Sequence, residues 1–291
     1  MMKRAIGLAW LVVFVACADD EIDPITKIDG PRVLAITSEP STLSPDGTLE
    51  LTVMTVDAEG PRVEIAASVP NGERPVDAVR LRACTPWKFI ADPSRDCSGD
   101  DALPLERDAS TGRISLSASA LVAAFGSPPG VPATPDPWRT ALAAGVELWV
   151  PIIGEVDIDG QTLVARRDIG VTETTTVRRN PRIAEIRFDG TSEALRSGQR
   201  YVLTATIDRA TLDEPPAVEP TGTLEMVACN FYSTGGELAK PEVDVEDPQA
   251  SLPETTANTY TAGPPGTTWM FVVATDETGG MSAVSIPLTI E

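Results

Sequence analysis

Apolar and polar positions alternate along most of this chain in short runs. Examples are Leu49-Glu50-Leu51-Thr52-Val53-Met54 and Tyr201-Val202-Leu203-Thr204-Ala205-Thr206. A period of two puts every second side chain on one face, so these runs predict half-buried β-strands. Gly, Pro and Asp clusters bound them, as at Ser44-Pro45-Asp46-Gly47, which is the spacing of antiparallel hairpins in a sandwich. One region breaks the period. Leu116 to Phe125 has helical spacing and many alanines, and Pro137 to Ala144 predicts a second short helix with Asp136 as its cap and Gly145 as its stop. Ser127-Pro128-Pro129-Gly130-Val131-Pro132 between them predicts a loop.

The pattern occurs twice. Pro31-Arg32-Val33-Leu34-Ala35-Ile36 is echoed by Pro181-Arg182-Ile183-Ala184-Glu185-Ile186. After each come a polar turn with Gly, an alternating strand, and a strand ending in cysteine, at Cys84 and at Cys229. Trp149 and Trp269 then open matching apolar runs, and a final strand closes each copy, Thr162–Arg166 and Ala283–Leu288. Six landmarks in one order predict an all-β chain of two tandem Ig-like antiparallel sandwiches, over residues 31–173 and 181–291. The first copy is the longer one, and the helical insertion at about 116–145 accounts for its extra length. The short polar join around Glu173–Asn180 predicts sandwiches set end to end with little freedom.

Composition narrows the chemistry. Asp and Glu number 43 against 23 Lys and Arg, a formal net charge of −20, which disfavours a nucleic-acid partner. With no histidine, Ser-His-Asp and Cys-His catalysis and the commonest metal ligand are excluded. No nucleophile elbow, phosphate-binding loop or Cys-x-x-Cys pair occurs. These absences point away from an enzyme and imply no cofactor, leaving Ca²⁺ as the ion to test. Asp157 and Asp159 in Glu155–Gly160, and Asp276 in the last hairpin, are the candidate ligands, because Ca²⁺ takes clustered carboxylate and carbonyl oxygens. The simpler reading of both segments is a turn in which Asp accepts local backbone hydrogen bonds.

The N-terminus supplies an address. Lys3-Arg4, an apolar run from Ala5 to Val15 and a small residue at Ala16 make residues 1–16 a secretory signal. Phe14-Val15-Ala16-Cys17 resembles a bacterial lipobox. That resemblance implies cleavage before Cys17 and acylation of its sulfur and nitrogen, with the alternative being an ordinary secretion signal. Two or more acyl chains hold a protein stably to a membrane. Residues 17–30, acidic and poor in large apolar side chains, predict a flexible tether. Ala18 follows the cysteine, which favours the outer membrane as the destination.

Of the other cysteines, Cys84 and Cys97 flank a Pro- and Asp-rich loop and are expected to pair, leaving Cys229 free; a Cys84–Cys229 bridge is the alternative. Trp87 in that loop and Trp138 in the insertion are candidate ligand contacts, against the alternative that they fold back over a sandwich end. Lipobox, acidic tether, Pro-Arg-Val-Leu-Ala-Ile strand, Cys-bounded loop and the closing Trp269–Gly280 element together resemble uncharacterised myxobacterial-type lipoproteins with tandem Ig-like domains. The resemblance implies a fold and an address, and no activity.

The reading is of a lipid-anchored envelope protein, periplasmic or surface-facing, serving as a non-catalytic binding or structural display module. Its expected partners are the membrane, through the anchor, and an envelope protein or glycan. Two alternatives belong to other classes: a calcium-stabilised spacer or adhesin stalk, and a carboxylate-dependent hydrolase.

Overall fold

The structure is a computed structural model, and it describes residues 26–64, 74–87, 97–108, 110–131, 134–173, 178–189, 194–212, 227–244, 254–276 and 279–291. The first copy contains β1 (Arg32–Glu39), β2 (Thr48–Asp57), β3 (Gly60–Glu64), β4 (Arg74–Val76), β5 (Ala78–Cys84), β6 (Ala102–Leu105), β7 (Ile114–Ser117), helices α1 (Ala118–Phe125) and α2 (Pro137–Ala143), then β8 (Leu148–Ile158) and β9 (Gln161–Val171). The second contains β10 (Ile183–Phe188), β11 (Arg200–Ile207), β12 (Val227–Ser233), β13 (Glu237–Leu238), β14 (Glu242–Asp244), β15 (Glu254–Thr261), β16 (Gly266–Asp276) and β17 (Met281–Ile290).

These strands make four sheets, two per copy. In the first, β1-β2-β3-β4, with β7 sharing an edge of β2, faces β6-β5-β8-β9. In the second, β10-β11-β15-β13 faces β14-β12-β16-β17. Both copies are thus Ig-like sandwiches, with the insertion confined to the first. The inward-facing residues of each pair of sheets form one core. Leu49, Leu51, Leu81, Val150 and Ile152 meet in the first, and Leu203, Tyr260, Phe231, Met270 and Val272 in the second.

The sequence repeat is a structural repeat in its details. β1 carries a bulge between Val33 and Ala35, and β10 carries one between the equivalent Ile183 and Glu185. A residue beyond each first strand then crosses to the opposite sheet. Leu43 bonds in parallel with the end of β9 through Gly170 and Thr172, and Leu195 bonds with the end of β17 through Thr289 and Glu291. Bulges are built features that bend a strand, and each of these lies at the start of the first strand of its copy.

The insertion closes one end of the first sandwich. Ser117 Oγ caps α1 by accepting from Ala120 N at 3.2 Å, and Asp136 caps α2 by accepting from Arg139 N at 3.0 Å. Gly126 ends α1 at φ 68° and Gly145 follows α2 at φ 79°, left-handed values that suit glycine. Leu121, Trp138 and Ala141 are buried in the first core. Leu116 and Ser117 are the end of β7 rather than the start of the helix, since Leu49 and Thr48 pair with them.

The end-to-end arrangement is not what forms. The chain folds back at residues 178–182, and the two sandwiches lie face to face. Asn180 Nδ2 donates to Ser38 O at 2.6 Å while its Oδ1 accepts from Met281 N at 2.8 Å, so the linker joins both sandwiches at one end. At the other end, Gly60 of the β2–β3 turn lies against the indole of Trp269. Between these points Leu34, Met54 and Val56 turn outward from the first sandwich onto Tyr232, Trp269 and Phe271 of the second, making a third apolar layer. The physical reason is parity. In β16, Met270, Val272 and Ala274 face the domain's own core, while Trp269 and Phe271 point the other way and need a second cover.

The tether also ends earlier than its composition suggests. Thr26 O accepts from Ser233 N at 2.8 Å and Ile28 N donates to Ser233 O at 2.9 Å, while the Ile28 side chain is fully buried in the third layer. Residues 26–28 are therefore a docked strap, held because one isoleucine in an otherwise polar segment fills the seam. The expected signal at residues 1–16, Cys17 and the expected tether as far as residue 25 lie outside the described residues.

Candidate functional site

The disulfide joins Cys84 to Cys97 across a Cα separation of 5.6 Å. Cys84 points outward from β5, where the bridge packs on Ile153. Cys229, its counterpart in the repeat, points into the second core and keeps a free thiol, so the two matched cysteines face in opposite directions. Burial pushes the Cys229 thiol up to about 12, which leaves it un-ionised and unreactive at neutral pH.

Of the two candidate contact tryptophans, Trp138 is corrected. Trp138 is fully buried; its Nε1 donates to Gly126 O at 3.1 Å, and its ring sits in the first core. Trp87 is half-buried and meets it edge to face, centroids 6.1 Å apart. Together they plug the end of the sandwich, so Trp138 cannot touch a ligand. An apolar pair at the open end of a β-sandwich gains more by covering the core than by standing in water.

The candidate calcium ligands are spoken for and are not brought together. Asp157 takes a paired contact from Arg80, Nη1 to Oδ2 at 2.7 Å and Nη2 to Oδ1 at 3.1 Å, and the Arg80 guanidinium holds its carboxyl below the usual range. Asp159 accepts from Arg62 Nη2 at 2.6 Å, and Arg62 also bonds Asp57. Asp159 at φ 50° and Gly160 at φ 79° form the two-residue turn between β8 and β9, a primed hairpin turn. Asp276 sits at the opposite, linker end, where its Oδ1 accepts from Gly280 N at 2.7 Å and organises the β16–β17 turn. The described residues hold no group of three or more His, Cys, Asp or Glu side chains placed for a metal ion. The acidic excess is instead threaded by arginines: Glu155 is held below its usual range by Arg82, and Asp136 by Arg139.

The most elaborate polar arrangement lies where sequence reasoning did not look. Arg167 falls on the inward parity of β9 and is only 6% exposed. Its Nη1 donates to Ile36 O in β1 at 2.6 Å and its Nη2 to Gly279 O in the β16–β17 turn at 2.7 Å. One guanidinium thereby clasps both sandwiches. Burial pushes its pKa down to about 10, while the charge of Asp276 acts in the opposite direction, so the group stays charged at neutral pH. Beside it Trp149 packs close to Gly170 and Gly279. The available signal was an arginine on an inward-facing position of a strand, a place arginine takes only when its charge is answered.

Among the described residues no helix is long and apolar enough to cross a membrane. No family model matches the chain, and no curated protein matches it. Solved structures that align with it include the D00-D0 domain of intimin, at TM-score 0.27 and 10% identity over 90% of this chain and 98% of that one. The fibronectin(III)-like modules of CbhA from Clostridium thermocellum align at 0.24 and 8% over 88% of this chain and 94% of theirs. A lipoprotein from Bacteroides thetaiotaomicron aligns at 0.24 and 12% over 37% of this chain and 79% of its own. Superpositions this loose transfer no function from one protein to another, and the sandwich assignment stands on the sheets themselves.

Proposed function

We propose that this chain is a non-catalytic display module of the bacterial envelope, held to the outer membrane by lipid on Cys17, and that it engages an envelope protein or glycan. One observation carries the non-catalytic reading. Among the described residues, the candidate carboxylates Asp157, Asp159 and Asp276 are held in arginine pairs and turns, and the free thiol of Cys229 is buried. The display reading is supported by the clasped seam, which makes one stiff body of two sandwiches, and by the insertion, which elaborates only one end.

The test has two arms. Cys17→Ser moves the protein from the membrane fraction to the soluble fraction and abolishes incorporation of a labelled fatty acid; unchanged fractionation sinks the anchor. Removing the insertion wholesale is not informative, because Trp138 belongs to the core. Arginines placed at the exposed Ala120 and Ala144 leave the fold intact and disrupt capture of an envelope partner by the lipidated protein. A partner retained in full by both variants removes the insertion from the contact surface.

A further inference from the structure

The outermost strands of a sheet carry unpaired backbone groups that can capture another chain, and proteins blunt them by shortness, proline, a bulge or a cover. Among the described residues this chain does so at every outermost strand but one. β4, β6, β7, β13 and β14 are at most four residues long, and Pro75 and Pro104 stand in the first two. β10 is bulged. β1 is bulged and gives Ile36 O to Arg167 and Ser38 O to Asn180. β17 carries Pro287 and is bonded by Leu195 at one end and by Asn180 at the other. The exception is β9, which runs 11 residues with no proline and no break in its register with β8.

Leu43 fixes which β9 groups face away from β8. Its N donates to Gly170 O and its O accepts from Thr172 N, so the even-numbered residues of β9 turn their N–H and C=O outward. The β16–β17 turn covers that edge at Asp168, where Gly279 approaches the carbonyl. Thr162, Val164 and Arg166 remain exposed, and Val164, at 67%, is the most exposed large apolar side chain among the described residues. We propose that this stretch of β9 pairs with the same stretch of a second copy of the chain, antiparallel about a two-fold axis at Val164. Val164 then covers its own counterpart. Thr162 faces Arg166 of the second copy, such pairs exchange both backbone bonds, and Leu163 meets Ala165 on the inner face. Leu163 and Ala165 are only partly buried in the single chain, at the margins of its core. Other registers fit worse. Centred on Arg166, two guanidiniums stand opposite each other; centred on Ala165, they lie diagonal; centred on Leu163, Arg166 faces only the Gly160 turn. The pairing joins two β6-β5-β8-β9 sheets into one and sets the two helical insertions at opposite ends of the pair. It does not depend on the lipid anchor.

Disulfide cross-linking of the purified full-length protein tests the pair and its register, with the unsubstituted protein as background. Val164→Cys sets two thiols across the axis, within disulfide reach. Mild oxidation then gives a covalent dimer on a non-reducing gel several-fold above that from Thr162→Cys or Arg166→Cys alone, whose Cα atoms lie about 13 Å from their own counterparts. Mixing Thr162→Cys with Arg166→Cys restores the cross-link, because those positions face each other. Adding Val164→Lys to both abolishes it by placing like charges opposite, and leaves the melting temperature unchanged because the side chain stands in solvent. Equal dimer from the three single variants is collision and overturns the pairing, as does a mixture that cross-links no better than its components. A Val164→Cys protein that stays monomeric leaves the edge to a strand of another protein or to none, and overturns the pair.

Discussion

Replacing Arg167 tests whether the two sandwiches are one body. Arg167→Met keeps the length of the stem and removes the guanidinium that donates to Ile36 O and Gly279 O. Charge-assisted bonds contribute about 1.5–3 kcal/mol each, so losing both sets the scale at about 3–5 kcal/mol, the range found when one member of a buried charged set is deleted. The cost falls on the seam, because one bond lies inside the first sandwich and the other crosses to the second. Urea unfolding followed by tryptophan emission reads it directly, since Trp149 and Trp269 both sit at the seam beside Gly279 and Gly60. The expected result is an early red-shifted phase, as the seam opens before either core melts. Adding Asp276→Asn keeps the acceptor for Gly280 N and removes the charge left behind, so the double variant recovers part of the loss. A loss below about 1 kcal/mol, or single effects that add within about 0.5 kcal/mol, would refute the clasp.

Four further outcomes follow from the geometry. Ile28→Ala empties a fully buried site in the third layer and costs about 2–5 kcal/mol, whereas a merely adhering strap would cost almost nothing; thermal unfolding separates the two. Gly60→Ala places a Cβ 2.4 Å from Trp269 Nε1 at φ 125°, so it opens the seam, and native-like emission from Trp269 in that variant would argue against the contact. Cys229 stays unlabelled by a maleimide at pH 8 until the protein is unfolded; rapid labelling of the folded form contradicts its burial. Acid lowers the melting temperature through the carboxylates held below their usual range, Asp136, Glu155, Asp157 and Asp108, the last at about 2. Their folded-state pKa values are depressed, so their stabilisation is present above about pH 4 and is lost as pH falls toward about 2. A melting temperature flat down to about pH 2.5 removes that contribution.

The fold was readable where local physics decides. Alternation predicts the strands, and Asp136 and Gly145 mark the limits of α2 in the sequence itself. The repeat predicted two sandwiches, and the structure adds that their first strands share a bulge. The seam was harder to read, although its mark is present: Trp269 to Ala274 is apolar without alternation, which in a sandwich strand means a cover on both faces. Which surface supplies that cover is a long-range matter. Leu34, Met54 and Val56 are unremarkable in their own strands and become informative only once the chain folds back. Trp138 misled for the converse reason. Trp138 sits in the first turn of a short helix just after Pro137, and which way that helix presents it depends on how the insertion packs on the sandwich. Arg167 is legible only when charge is read face by face, since the charge of the whole chain conceals one cation on an inward position of β9.

The docked strap also sets an order of events. Ile28 leaves the ribosome among the first residues, yet Phe271, which covers it, is among the last, so nearly the whole chain must exist before the strap can close. Until then the outer faces of β2 and β16 are exposed apolar sheets, which invite association with other chains. Each sandwich can collapse on its own core, but the surface that finishes the molecule is assembled last. On the proposed anchor, acylation tethers the chain at a bilayer while this final contact is still to form. Docking of Ile28 is then the step that turns two loosely joined folding units into a finished particle.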